Sequence, residues 1–190
     1  MVREGLPEIR PETLISIDVE TAGPNPNRYS MLAIGACLVE APEQSFYVEL
    51  QPLQQESVAE ALKISGLSLG ELAATGVEAG LAMRQFAAWI ESVVPVGAAP
   101  VFLAFNAPFD WMFIDHYFHQ FLGTNPFGHS ALDIKAYYMG KTGCAWAETS
   151  MRHLSPKYLA GRQLSHNALG DARDQAELFR AILADERQRR

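Results

Sequence analysis

The sequence predicts an α/β fold in which helices flank a mixed sheet of five strands. Three observations carry this expectation. Three strand-like segments come first and in succession, two of them joined by a short, hairpin-like connection. After them, helix-like and strand-like patterns alternate. No internal repeat, low-complexity tract or second compositional block interrupts the 190 residues, of which 48% are hydrophobic, so one domain over residues 1–190 with its core from about 14 to 183 is expected.

The elements follow in order. Residues 1–13, with three Glu and two Pro, form a lead-in. Residues 14–20 alternate and are rich in Ile and Val, which predicts a strand. A loop with Gly23, Pro24, Asn25, Pro26 and Asn27 separates it from a second strand over 31–40, and Ala41-Pro42-Glu43-Gln44 connects that to a third over 45–50. After Pro52 the pattern turns helical, most clearly over 78–94, where Leu81, Phe86, Trp89, Ile90 and Val93 form a stripe. A short buried strand over 100–105, a helix over 107–121, a short strand over 130–134 and a closing helix over 168–185 complete the order, with a basic tail at 185–190.

Composition bounds the chemistry. There is no apolar run of about 18 residues, and the start Met1-Val2-Arg3-Glu4-Gly5-Leu6-Pro7 has no signal-peptide stretch, so the expected location is the cytoplasm with no membrane partner. Cys37 and Cys144 lie far apart in unrelated contexts and suggest free thiols in a reducing compartment. The net charge of −7 is uneven. Residues 39–93 hold eight Glu against Lys63 and Arg84. Residues 134–165 hold Lys135, Lys141, Arg152, Lys157 and Arg162 against Glu148 alone. That basic segment either steers a phosphate chain or is a dispersed solvated surface.

Four acids and one histidine stand out. Asp18 and Glu20 lie two apart at the end of the first strand, so their side chains share a face roughly 6.5–7 Å apart and can converge on one cation. Asp110 starts the helix after Pro108 and shares a face with Phe113, Ile114, Tyr117 and Phe121. An acid on an apolar stripe needs a partner, such as a metal or its water; the alternative is a charge that stabilises the helix dipole. Asp115 and His116 fall off the stripe and should be solvated. Asp171 aligns with Gln175, Leu178 and Ile182, whereas Asp174 lies on the polar side with Glu177. His166, five residues before Asp171, can swing over a site there and accept a proton near neutral pH. His116, His119, His129 and His153 suggest surface or structural roles, and Asp133 suggests a helix cap, with an acid supporting the carboxylate site from behind as the alternative.

Together these stretches resemble the three motifs of the DEDDh family of 3′-to-5′ exonucleases, in the ribonuclease H-like superfamily. Asp-x-Glu is Asp18-Val19-Glu20, Asn-x-x-Phe-Asp runs from Asn106 to Asp110, and His-x-Ala-x-x-Asp-Ala from His166 to Ala172. The resemblance covers nearly the whole chain and implies a ribonuclease H-like five-stranded sheet. It further implies a two-metal mechanism. Asp18 would bridge two Mg²⁺ or Mn²⁺ ions, Glu20 and Asp171 would complete the ligands of one, Asp110 would hold the other directly or through water, and His166 would deprotonate the attacking water. The product would be a nucleoside 5′-monophosphate released from a single-stranded 3′ end. Thr21 matches the family's contact to the terminal 3′ hydroxyl, and Phe109 is either a base-stacking wedge or core. Asp-Val-Glu-Thr-Ala-Gly and Asn125-Pro126-Phe127 are similar to ribonuclease T-like and oligoribonuclease-like members, but the acidic balance departs from the first and the lack of Asp-Leu-Glu-Met-Thr from the second. RNA, DNA and short oligonucleotides all stay open as substrates. Many relatives pair, so a homodimer is among the assemblies the resemblance implies. Two rivals are a catalytically weak nucleic-acid-binding module and a proofreading or processing subunit that acts with a partner; an internally cutting nuclease of the ribonuclease H type is disfavoured by the His166 motif.

Overall fold

The computed structural model describes residues 10–163 and 165–186. The first strand, β1 (Glu12–Thr21), buries Ile15, Ile17 and Val19 on one face and turns Ser16, Asp18 and Glu20 to the other. β2 (Met31–Leu38) and β3 (Ser45–Glu49) follow, linked by a turn closed by Gln44 N–H to the Ala41 carbonyl at 2.9 Å. Next come α1 (Ala59–Ser65), α2 (Leu69–Thr75), α3 (Ala79–Val93), β4 (Ala99–Ala104), α4 (Ala107–Leu122) and β5 (Ala131–Asp133). After them lie α5 (Ile134–Thr142), a 3-10 turn (Trp146–Thr149), α6 (Met151–Tyr158) and α7 (Ala168–Ala184).

The sheet runs β3-β2-β1-β4-β5. β1 pairs antiparallel with β2 and parallel with β4, which makes the sheet mixed, as its sequence order predicts. Apolar residues fill both sides. Ile15, Ile17, Ile34, Phe86, Phe102, Phe113 and Phe118 form a layer under α3 and α4. Cys37, Leu103, Ile134, Leu154, Ala172, Ala176, Phe179 and Ile182 form another under α5, α6 and α7. Both cysteines are free thiols. No described helix is long and apolar enough to cross a membrane.

Several expectations need adjusting. The third strand ends at Glu49, one residue before Leu50, whose N–H still donates to the Leu32 carbonyl of β2 at 2.8 Å while the residue forms a separate parallel bridge to Val77. The stretch 134–165, for which the sequence suggests no element, holds α5 and α6. In α5, Lys135, Gly140 and Lys141 interrupt the apolar period, and the helix starts with no loop after β5, capped by Asp133 Oδ1 accepting from Ala136 N–H at 2.6 Å; α6 is short and holds Pro156. Asp115 is not simply solvated: it is half-buried and accepts from Asn125 Nδ2 at 2.8 Å.

Candidate active site

The carboxylate cluster begins with the period of β1. Asp18 and Glu20 project from the same face at the strand's carboxyl end, and across the sheet Asp18 pairs with Gly35 of β2. Gly35 has no side chain for a reason: a Cβ there would lie 2.1 Å from the Ala168 carbonyl carbon and 2.2 Å from the Leu169 nitrogen. The first turn of α7 therefore rests directly on the strand, which brings Asp171 over the acids of β1. One carboxylate oxygen each from Asp18, Glu20 and Asp171 lie within 4.8 Å of one another.

Asp110 approaches from the opposite layer. Asn106 adopts a left-handed conformation (φ 66°) that turns the chain from β4 into α4, and Asp133 Oδ2 accepts from Ala107 N–H at 2.7 Å to hold that turn. Asp110 is buried, and its Oδ1 accepts from Val19 N–H, between Asp18 and Glu20, at 3.1 Å. The side chain is thus tied to β1 as well as lying in the first turn of α4.

Crowding sets the electrostatics. Burial, then the charges of Asp110, Asp171 and Glu20, push the Asp18 carboxyl well above its ordinary range, against the opposing hydrogen bond from Gln175. Burial and then Asp171 push Glu20 up to about 7. Burial pushes Asp110 up to about 8, with Glu20 and Asp133 adding to it and the Val19 N–H opposing it. Positive charge placed among these groups would relieve both penalties at once. An all-oxygen donor set of this kind fits a hard divalent cation such as Mg²⁺ or Mn²⁺.

The segment before α7 completes the site. Ser165 donates to Asp171 Oδ1 through its N–H at 2.7 Å and its hydroxyl at 2.9 Å, and His166 N–H donates to Oδ2 at 3.0 Å. These bonds orient the Asp171 carboxylate. His166 itself is exposed, with φ 55°, and lines a cavity of about 490 Å³ with Arg152, Ser155 and Gln163. Asn167 caps α7 by accepting from Gly170 N–H at 3.0 Å. Arg162 fastens the segment to α7 through Asp174 at 2.8 Å and Glu177 at 2.5 Å.

The structure thus gathers Asp18, Glu20, Asp110 and Asp171 and sets His166 beside the last of them. Thr21 is buried and spends its hydroxyl on the Gly23 carbonyl at 3.0 Å. Phe109 is half-buried, with its ring 5.5 Å from that of Phe113 in the apolar layer. Two residues without an assigned role in the sequence matter to the geometry. One is Gly35. The other is Gln175, 1% exposed, whose Nε2 donates to Asp18 Oδ1 at 2.7 Å. A glutamine on the buried stripe of α7, one turn after Asp171, was the available signal for it.

Comparison with known proteins places the chain in a family. The Exonuclease family matches residues 15–179. The 3′-5′ DNA exonuclease Cap18 of Escherichia coli is 46% identical over 171 residues, 90% of this chain and 91% of that one. In structure, the rAMP-bound nuclease domain of 3′hExo, a DEDDh family member, superposes with a TM-score of 0.70 at 12% identity, covering 94% of both chains. The E. coli ExoI–ssDNA complex gives 0.65 at 21% identity, covering 95% of this chain and 42% of that one. At these identities the structural likenesses speak for the shared fold alone, and the sequence matches speak for the family. The chain belongs to the exonuclease family and is a 3′-to-5′ exonuclease with the DEDDh fold.

Proposed function

We propose that the protein shortens single-stranded DNA from its 3′ end, releasing nucleoside 5′-monophosphates, with Asp18, Glu20, Asp110 and Asp171 holding divalent cations and His166 as general base. The observation that carries this reading is the convergence of carboxylates from β1 and α7 to within 4.8 Å, with a raised Asp18 carboxyl at its centre. DNA is the preferred substrate because the relative that is 46% identical is described as a DNA exonuclease.

Mg²⁺ or Mn²⁺ bound by these oxygens would supply an activated water and neutralise charge on the scissile phosphate. The chain's own groups do the rest. His166, exposed beside Asp171, accepts the proton of the attacking water and passes it to solvent. The N–H groups of Ser165 and His166 keep Asp171 aimed at the cluster, and Val19 N–H does the same for Asp110. Two free thiols suit a reducing compartment, so the cytoplasm is the place of action.

The test uses 5′-labelled single-stranded DNA and RNA of matched sequence, with Mg²⁺, Mn²⁺ or chelator. The wild type should give a metal-dependent ladder that shortens one nucleotide at a time, faster on DNA. Asp18→Ala should abolish it, and His166→Ala should slow it by about 10²–10⁴-fold, the usual contribution of a general base. No shortening of either strand in either metal would overturn the proposal.

A further inference from the structure

The basic stretch 134–165 is the place to look for how the rest of the strand is held, because it is the cationic part of a chain of net charge −7. Three of its five cations are used inside the molecule. Lys141 donates to the Ile182 and Leu183 carbonyls at the end of α7. Arg162 is paired with Asp174 and Glu177. Lys157 donates to the Tyr138 hydroxyl at 3.1 Å and lies over the Tyr138 and Tyr158 rings. Lys135 and Arg152 have no carboxylate partner among the described residues.

The surroundings of Lys135 are specific. Its ammonium lies 4.2 Å from the centre of the Trp146 ring and 5.9 Å from that of Phe105. Trp146 is 52% exposed, whereas Trp89 and Trp111 pack against the apolar core. Lys135 also occupies the first turn of α5, where the helix dipole disfavours a cation, an arrangement that a nearby anion would relieve. This pair lies at the site's end of the sheet. Phe105 N–H donates to Gln175 Oε1 at 2.9 Å, and Gln175 in turn donates to Asp18. Arg152 shares its cavity with His166. An exposed indole under one lysine at the site's end of the sheet, with an arginine beside His166, both cations without a carboxylate partner among the described residues, has the chemistry that grips a single strand, in which base faces are free to stack and phosphates follow one another.

We propose that Trp146, Lys135 and Arg152 form a track for the nucleotides upstream of the 3′ end, with a base stacked on Trp146 and phosphates met by the two cations. The track rests on the function proposed above, and it makes long strands better substrates than a lone terminal nucleotide. Because the indole recognises any base by its face, the preference is for a single strand rather than for a sequence.

The experiment compares a 20-nucleotide oligothymidylate with the p-nitrophenyl ester of thymidine 5′-monophosphate, which offers the terminal nucleotide and nothing upstream. For Trp146→Ala, KM for the oligonucleotide should rise about 5- to 150-fold, the usual effect of removing one stacked base, while KM for the ester stays within about two-fold. Trp146→Phe should restore most of the difference, and Lys135→Gln and Arg152→Gln should each weaken the oligonucleotide alone and flatten its salt dependence. An oligonucleotide KM unchanged by Trp146→Ala would overturn the track while leaving the exonuclease reading intact. If the wild type cleaves neither substrate, the proposed function fails instead. Fluorescence anisotropy of the labelled oligonucleotide in chelator then decides the track separately: weaker binding by Trp146→Ala supports it, and equal binding overturns it.

Discussion

Gln175 shows how one residue orients a carboxylate from a distant part of the chain. Phe105 N–H needs an acceptor, which places Oε1 toward β4 and leaves Nε2 to donate to Asp18. The amide therefore has one satisfactory orientation, and it holds one oxygen of Asp18 while the other is free to meet a cation. Gln175→Met keeps the volume and removes both bonds. It should lower apparent Mg²⁺ affinity and activity by about 10–100-fold, as removal of a partner behind a metal ligand commonly does, and leave DNA binding in chelator unchanged. A Mg²⁺ titration of activity beside a binding isotherm checks this. A loss confined to DNA binding would rule out the orienting role.

At the scale of elements, the site depends on how closely α7 lies on β2. Gly35 is the contact, and the short distances from its position to the Ala168–Leu169 backbone leave no room for a methyl group. Gly35→Ala must lift the first turn of α7, which carries Asp171 away from Asp18 and Glu20. Overpacking of this kind costs about 1–3 kcal/mol. A displacement on the order of 1 Å at the reacting groups costs about 10²-fold in rate. The expected variant is thus folded, with a Tm a few degrees lower and kcat reduced far more than stability. Thermal melting together with kcat measures the two effects, and full activity at a lowered Tm would show that the contact serves packing only. The same logic explains the pairing of Arg162 with Asp174 and Glu177. It fastens the segment bearing His166 to the helix that carries Asp171.

For the molecule as a whole, a crowded set of acids makes stability depend on pH and on metal. Glu20 and Asp110 have folded values of about 7 and about 8, above their ordinary carboxylate values. Between those limits the folded state keeps protons that the unfolded chain has released. Metal-free stability therefore falls as pH rises from the ordinary carboxylate range through about 7 and about 8. A bound cation removes the penalty by favouring the ionised acids. In chelator, Tm should be lower at pH 8.5 than at pH 6, and Mg²⁺ should raise it more at the higher pH. Differential scanning calorimetry at the two pH values checks the sign, and a Tm that rises with pH in chelator would contradict it.

The sequence by itself determined what depends on neighbours along the chain. The two-residue period of β1 put Asp18 and Glu20 on one face, the apolar stripes of α4 and α7 set Asp110 and Asp171 on buried sides, and Asp133, the last residue of β5, was legible as a cap. These follow from local backbone geometry, which repeats every two or 3.6 residues and so leaves a pattern in the residues themselves. The helices of 134–165 were less legible because Lys135, Gly140 and Lys141 weaken the period of α5, and because α6 spans only eight residues and contains Pro156, a residue that argues against a helix. Only the tertiary structure decided that Gln175 meets Asp18 across 157 positions, that Gly35 admits α7, that Asp115 is held by Asn125, and that Lys135 lies over Trp146. Such contacts are chosen by packing between elements, and no local pattern records which distant backbone or side chain will fill the space beside a given residue.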